Sequence, residues 1–423
     1  MKFEYKISVV GLGYVGLPLA CSLAEKYKII AIDNNITRIK ELKKSKDTNG
    51  DISEKKIFKA NKNIEYYDNY SKLKFSNIII VTLPTPVNKK KEPDLTIIKI
   101  ALKKIAIFLN KNDIVIFEST VFPGATEKVF APILEKYSNL VFNKDFFCGY
   151  SPERINPGDK KNTIEKINKI VSGSSKKALE IIYDLYSSII KAKIYKVRKI
   201  EIAEAAKVIE NCQRDINVAF MNELSLIFNK LQINTNEVLK AASTKWNFLN
   251  FKPGLVGGHC IGIDPYYLTY IAKKNSYNPK IILSGRYLND NIGKFICEKI
   301  YSKFLKSNMK SKTVLLLGYT FKENCSDIRN TKVEDIYKYF KNKKFITKIY
   351  DPLAKKNDLE KNNKILKDFI TKPRLKYYSI IIICVNHNYF KKIGFKNIKL
   401  FSKKDSIIFD IKNTFPNKNI MYL

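Results

Sequence analysis

Short apolar runs alternate with helical periodicities along the first half of the chain. Runs at 6–10, 29–32, 77–82, 114–118 and 193–197 predict strands, and 15–26, between the first two, has the spacing and position of a helix. This alternation predicts an α/β unit with a largely parallel sheet over residues 5–195. From 200 to 231 the pattern becomes one long amphipathic helix without Gly or Pro, on the order of 45 Å long at 1.5 Å per residue. Its apolar positions (Val208, Ile209, Cys212, Ile216, Phe220, Leu224, Ile227 and Leu231) read as an interdomain core, with a dimer interface as a further use. Helical patterning continues to about 306, and strands at 313–317, 346–350, 380–385 and 407–411 then predict a second α/β unit. Two α/β domains thus flank a helical middle.

The first strand runs into Val9-Val10-Gly11-Leu12-Gly13-Tyr14-Val15-Gly16, which opens the first helix, and Asp33 ends the next strand. In that context the glycines have separate uses. Gly11 permits a tight turn, Gly13 lets a pyrophosphate approach the helix N-terminus, and Gly16 lets helix pack on strand. Asp33 would accept hydrogen bonds from an adenosine ribose and repel a 2′-phosphate, which favours NAD over NADP, a preference that Arg38 qualifies. Thr82-Leu83-Pro84-Thr85-Pro86 and Glu118-Ser119-Thr120 follow strand ends, where open α/β sheets place ligands; ordinary turn chemistry accounts for them equally.

Composition adds limits. At 423 residues the chain exceeds the size of a single core, and 45% apolar residues suffice for several. An excess of 77 Lys and Arg over 40 Asp and Glu would suit polyanionic partners. The lysines, however, are spread along the whole length among many Ile, Asn, Tyr and Phe residues, as AT-rich coding produces, and no nucleic-acid motif accompanies them, so nucleic acid is not expected as a partner. Seven scattered cysteines without a CxxC pair fit a reducing cytoplasm and argue against disulfides and a structural metal. Residues 2–21 could pass for a lipoprotein signal, but the glycine fingerprint explains them better. No run approaches the ~18 apolar residues that a membrane helix needs, so no membrane partner is expected.

Three further motifs carry chemistry. In Gly257-Gly258-His259-Cys260-Ile261-Gly262-Ile263-Asp264-Pro265, glycines frame a cysteine that reads as a nucleophile for covalent oxidation or as a buried thiol in a tight turn. Lys207 and Asn211 stand four apart in Glu204-Ala205-Ala206-Lys207-Val208-Ile209-Glu210-Asn211 and share a helix face, suited to stabilising an alkoxide or simply solvated. Glu153 in Ser151-Pro152-Glu153-Arg154 is a general base or a salt-bridged loop residue.

Taken in order, GLGYVGLP, SPER, EAAKVIEN, GGHCIGIDP and FKENCSDIRN resemble the UDP-glucose/GDP-mannose dehydrogenase family over essentially the whole chain. The resemblance implies two Rossmann-like doubly wound domains flanking a central helical domain with a long connecting helix. The corresponding expectation is an NAD domain at 1–199, a helical dimerisation domain at 200–306 and a UDP-sugar domain at 307–423. It further implies a cytoplasmic homodimer that oxidises the C6 alcohol of a UDP-sugar to a carboxylate with two NAD per turnover. SPERINPG and His259 resemble the branch acting on UDP-N-acetylhexosamines, gluco or galacto, for surface polysaccharide. The UDP-glucose enzymes instead carry a second glutamate where this chain has Pro157. UDP-glucose and UDP-ManNAc remain alternatives, as does a non-catalytic nucleotide-sugar sensor.

By position, the resemblance makes Cys260 the nucleophile, Lys207 and Asn211 the oxyanion donors, Asp264 and Thr120 the water-orienting pair and Glu153 the proton acceptor. It assigns the cofactor to Gly11, Gly13, Tyr14, Val15, Gly16, Asp33, Arg38, Thr85, Ser119, Thr120 and Arg329. The sugar nucleotide falls to Glu153, Arg154, Lys207, Asn211, Phe248, Lys252, Gly257, Arg286 and Lys322, with Trp246 and Asn247 as weaker contacts.

Overall fold

The computed structural model describes residues 3–50, 52–155, 163–258, 261–355, 359, 363–416, 418 and 420–423. The chain forms two compact units, Met1–Glu210 with Tyr266–Tyr277, and Asn211–Pro265 with Asn278–Leu423. In the first, strands β1 (Ile7–Val10), β2 (Ile29–Ile32), β3 (Ile64–Tyr67), β4 (Ile78–Val81), β5 (Ile114–Phe117), β6 (Phe147–Tyr150), β7 (Lys169–Gly173) and β8 (Ile194–Lys196) form one sheet in the order β3-β2-β1-β4-β5-β6-β7-β8. Its pairings are parallel except β6 with β7. The order reverses at β1 and β4, the crevice where such sheets hold nucleotides.

The central strands read Ile-Ser-Val-Val, Ile-Ile-Ile-Val and Ile-Val-Ile-Phe without alternation because every residue in them is buried. Helices α1 (Gly16–Leu23), α2 (Ile36–Lys43), α3 (Glu54–Ala60), α4 (Thr96–Ala106), α5 (Ala131–Ser138) and α6 (Lys176–Ser187) connect them. Side chains of Asn35, Ser53 and Ser175 cap three of these helices by accepting from the backbone N–H three residues on. The five predicted strands stand where the pattern placed them, whereas α1 is shorter than its predicted span. The unpredicted strands lack an apolar signature: β3 is Ile-Glu-Tyr-Tyr, β6 contains Gly149, and β7 opens on Lys169.

The second unit holds α8 (Thr235–Ala242), α10 (Lys280–Leu305) and a fully parallel sheet of β9 (Thr313–Leu317), β10 (Ile346–Tyr350), β11 (Tyr378–Ile383), β12 (Ser402–Asp410) and β13 (Met421–Tyr422), ordered β10-β9-β11-β12-β13. Alternate residues of β11 feed opposite cores. Ile380 and Ile382 join Phe340 and Phe409, while Ile381 and Ile383 join Leu315 and Phe390. Helices α11 (Val333–Asn342) and α12 (Asn388–Lys399) complete the unit. Two helices cross the division between units, α7 (Ile200–Lys230) and α9 (Asp264–Lys274).

The long helix has the predicted extent, but its apolar positions do not share one buried face. At ~100° per residue, Glu204, Lys207, Asn211, Asp215 and Asn222 fall within one narrow stripe, and all five are buried. About 180° away lie Ile202, Ile209, Phe220, Ile227 and Leu231, which are 46–60% exposed. The apolar positions expected to build an interdomain core are therefore divided. Val208 and Cys212 are buried, while Ile209, Phe220, Ile227 and Leu231 face outward because the inward face is committed to polar partners.

Gly16 is the tightest point of the first βα turn. A Cβ there would lie 1.8 Å from the Gly11 carbonyl oxygen and 2.4 Å from Thr82 Oγ1, and neither backbone nor buried strand end can retreat. Gly16→Ala should therefore destabilise the first unit by about 1–3 kcal/mol and weaken dinucleotide binding, read as a lower thermal midpoint and a loss of cofactor-induced stabilisation.

Candidate active site

The cofactor corner is built by β1, β2 and the turn between β1 and α1. Gly11 (φ +94°) leaves β1 with its N–H on the Ile32 carbonyl (2.8 Å). Asp33 holds the turn: one carboxylate oxygen accepts from Leu12 N–H (2.8 Å), the other from Asn35 N–H (2.9 Å). Each oxygen retains an acceptor site, and Asp33 is partly exposed. A Cβ on Gly13 would meet nothing within 4 Å, so the backbone is open for close approach of a ligand. These features fit a dinucleotide pyrophosphate and ribose. Tyr14 and Val15, also on this turn, are partly buried. Arg38 is buried instead of reaching for a ligand; its Nε donates to the Leu12 carbonyl (3.1 Å) and its Nη1 pairs with Asp47 (2.7 Å).

Two loops beside this corner are tied together. Thr85 Oγ1 donates to the Thr120 carbonyl (2.7 Å), Ser119 Oγ to the Leu83 carbonyl (2.6 Å), and the Tyr267 hydroxyl of α9 to the Thr85 carbonyl (2.6 Å). From α7, Glu204 fixes the far end of the second loop by accepting from Gly124 N–H (2.5 Å), Thr126 N–H (2.9 Å) and Thr126 Oγ1 (2.7 Å). One turn later Lys207 Nζ donates to the Glu153 carbonyl (2.6 Å). The Glu153 carboxylate accepts from the N–H groups of Arg154 and Ile155 through Oε1, and Arg154 pairs with Glu210. Behind Glu153 lie Lys169, Glu118 and Tyr186, all buried. Burial and the Glu153 charge push the Glu118 carboxyl up from its ordinary value, against the pull of Lys169.

In the second unit Asn211 Nδ2 donates to Asp264 Oδ2 (2.5 Å), so the amide and the carboxylate predicted for the site are paired. His259 and Cys260 lie outside the described residues. Their neighbours show why the flanking glycines are required: a Cβ on Gly257 would lie 2.7 Å from the Asn330 carbonyl oxygen, and Gly258 has φ +87° against the Phe321 ring. Arg286, predicted as a sugar contact, is buried and bridges Asp215 (2.6 Å) and Asp290 (2.5 Å). Asp215 and Asn222 on α7 share Asn289 (2.8 Å from each), and Asn222 also clasps the Gly254 backbone in both directions. Lys322 packs on the Phe321 ring, and Arg329 pairs with Asp327 (2.7 Å). Phe248 is half-buried, whereas Trp246, Asn247 and Lys252 are exposed.

The second sheet repeats the first corner with a different outcome. Gly318 (φ +87°) leaves β9 with its N–H on the Tyr350 carbonyl (2.9 Å), and Asp351 stands where Asp33 stands in the first. Here one carboxylate oxygen accepts from Tyr319 N–H (2.6 Å), Thr320 N–H (3.0 Å) and buried His387 Nε2 (3.2 Å), and the other from Leu353 and Ala354 N–H. His387 Nδ1 accepts from Asn324 N–H (2.9 Å), which places its proton on Nε2.

All six described cysteines are free, and burial raises each above the ordinary thiol value, Cys21 and Cys212 to about 12. None of them is an activated nucleophile. Among the described residues there is no His, Cys, Asp and Glu group suited to a metal and no helix long and apolar enough to cross a membrane. Sequence reasoning did not single out Glu204, Glu118, Lys169, Tyr186 or Asp215. For Glu204 and Asp215 a signal was present, since they continue the spacing of Lys207 and Asn211 along one helix face.

The dinucleotide corner of the first sheet marks an α/β protein built to bind a nucleotide cofactor. The NAD-binding, central and UDP-binding domains of the UDP-glucose/GDP-mannose dehydrogenase family match residues 5–190, 201–291 and 315–417. The chain belongs to that family. It is 49% identical to the protein CapL of Staphylococcus aureus over 408 residues, covering 96% of this chain and 95% of that one. It is 45% identical to the UDP-N-acetyl-D-glucosamine 6-dehydrogenase of Salmonella typhi over 415 residues, 98% and 97% of the two chains. Among solved structures, UDP-D-ManNAc dehydrogenase from Pyrococcus horikoshii superposes with a TM-score of 0.86 over 98% of each chain at 29% identity.

Glu204 gives the site a pH signature. Burial raises its carboxyl to about 7, against the pull of three donors. Because the folded value exceeds the unfolded one of ~4.3, its stabilising contribution is complete below pH ~4.3 and is lost as pH rises through about 7. Glu204→Gln should flatten that part of the stability-versus-pH curve, measured by denaturant unfolding at a series of pH values.

Proposed function

We propose that this protein oxidises the C6 hydroxyl of a UDP-N-acetylhexosamine, UDP-GlcNAc or UDP-GalNAc, to the uronic acid in a four-electron, NAD-dependent reaction that supplies surface polysaccharide. The observation that carries this reading is end-to-end similarity at 45% identity to a UDP-N-acetyl-D-glucosamine 6-dehydrogenase. CapL, at 49%, supports a capsular destination by its name. The three functional segments are 1–199, 200–306 and 307–423. Free thiols at the six described cysteines suit the cytoplasm.

NAD, when bound, would supply the hydride acceptor for each of the two oxidations at C6. Gly11, Gly13, Tyr14, Val15 and Gly16 form its turn; Asp33 takes its ribose, and Thr85, Ser119, Thr120 and Arg329 complete its contacts. Lys207 and Asn211 donate hydrogen bonds to the C6 oxygen as negative charge develops there, a role in which one lost donor typically costs ~10²- to 10³-fold in rate. The Cys260 sulfur adds to the C6 aldehyde to give a thiohemiacetal, and loss of the second hydride leaves a thioester. Asp264, held by Asn211, and Thr120 orient a water that adds to the thioester carbon. Its proton passes to Glu153, the C–S bond breaks, and Cys260 departs as thiolate. Arg154, Phe248, Lys252, Gly257 and Lys322 hold the sugar nucleotide, while Arg286 is paired with Asp215 and Asp290.

The outward apolar stripe on α7 supports a homodimer, since a second copy would cover Phe220 and Ile227. Phe220→Asp with Ile227→Asp should yield a monomer in sedimentation. Purified enzyme should release two NADH per UDP-GlcNAc consumed. Cys260→Ala should still bind NAD in a thermal-shift assay while losing at least ~10³-fold in turnover. A single NADH with free aldehyde as the product would overturn the covalent scheme.

A further inference from the structure

Behind Glu153 lies a charged group to which the reaction as described gives no part. The antiparallel pairing of β6 with β7 matches Gly149 to Gly173 and Tyr150 to Ser172. Continued past the end of β6, that register sets Lys169 opposite Glu153. Lys169 Nζ lies 3.8 Å from Glu153 Oε2 and 2.9 Å from Glu118 Oε2, and the three side chains are 4%, 8% and 0% exposed. The Tyr186 hydroxyl of α6 donates to the other Glu118 oxygen, and the Lys169 ammonium sits 5.1 Å from the centre of the Tyr186 ring. Among the described residues no hydrogen-bond donor reaches Glu153 Oε2, which is buried. Among the described residues the further charged neighbours are Lys207, whose Nζ is on the Glu153 carbonyl, and the Arg154–Glu210 pair.

Two buried carboxylates thus share one ammonium. A buried carboxylate beside a second one is driven to take up a proton unless a cation offsets the repulsion. With Glu118 and Lys169 paired, the cluster carries one negative charge when Glu153 is ionised and none once Glu153 has accepted a proton. That is the charge cycle a base needs when it takes a proton from the water attacking a thioester.

We propose that Lys169 is a positioning residue for thioester hydrolysis: held by Glu118 and Tyr186, it sets its ammonium against the Glu153 carboxylate that accepts the water's proton. This rests on the covalent reading above. Lys169 is buried against Glu118 and Tyr186 and acts through Glu153.

The test counts Cys260-bound sugar by acid quench and intact-protein mass during turnover of UDP-GlcNAc with NAD, across a pH series, alongside the rate of the first NADH formed. Glu153→Gln should accumulate acyl-enzyme and serves as the reference. Because Lys169→Met alone would strand two buried carboxylates, it is combined with Glu118→Gln to preserve folding. Glu118→Gln alone leaves the Lys169 charge to Glu153, so the acid limb of hydrolysis should move to lower pH. The double variant should move it the opposite way, by ~1 pH unit relative to Glu118→Gln, with acyl-enzyme rising ~10-fold near neutrality and the first NADH changed less than ~3-fold. Lys169→Arg should restore the wild-type profile.

Limbs that coincide or move in the same direction in the two variants, or a first NADH that slows as much as hydrolysis, would overturn the role of Lys169 while leaving the thioester intact. Absence of acyl-enzyme even in Glu153→Gln would remove the covalent reading, and this inference with it.

Discussion

The structure depends on burying a polar stripe along one helix. Glu204, Lys207, Asn211, Asp215 and Asn222 descend the inward face of α7, and each finds its partner on a loop or a neighbouring helix. Buried polar groups left unmatched are costly, so a helix with such a face stabilises the fold only when every partner is in register. This makes α7 a ruler. Glu204 fixes the loop carrying Thr120, Lys207 fixes the backbone of Glu153, and Asn211 fixes Asp264. An apolar face of the same length would pack, but it would not specify which loop residue stands at which turn.

Much of the fold was legible because parallel, fully buried strands are written as unbroken apolar runs. β2, β9 and β10 coincide with the predicted spans, and the extent of α7 follows from an uninterrupted stretch free of Gly and Pro. The strands that escaped notice are those whose burial has another cause. β7 buries Lys169 against Glu118, and β13 is a two-residue edge. On α7 only part of the apolar periodicity marks the inward side, Val208 and Cys212 lying buried while Ile209, Phe220 and Ile227 face outward, because much of the inward side is polar.

Spacing in the sequence brought out positions that the structure ties to specific partners, at the glycine turn, at Lys207 with Asn211 and at Glu153. The site was not legible where a charged residue serves another residue. Arg38 and Arg286 look like ligand contacts in a sequence, yet one braces the glycine turn through the Leu12 carbonyl and the other neutralises Asp215. Glu118 and Lys169 are 51 positions apart, and only the antiparallel β6–β7 pairing, the one reversal in the sheet, brings them together.

The duplicated corner has a bearing on how electrons leave the enzyme. Asp33 has acceptor capacity to spare, but both oxygens of Asp351 are saturated by backbone donors and His387, so the second corner cannot grip a ribose diol in the same way. A protein with one such berth must empty and refill it midway through a double oxidation. The half-finished sugar has to outlast that exchange on the enzyme.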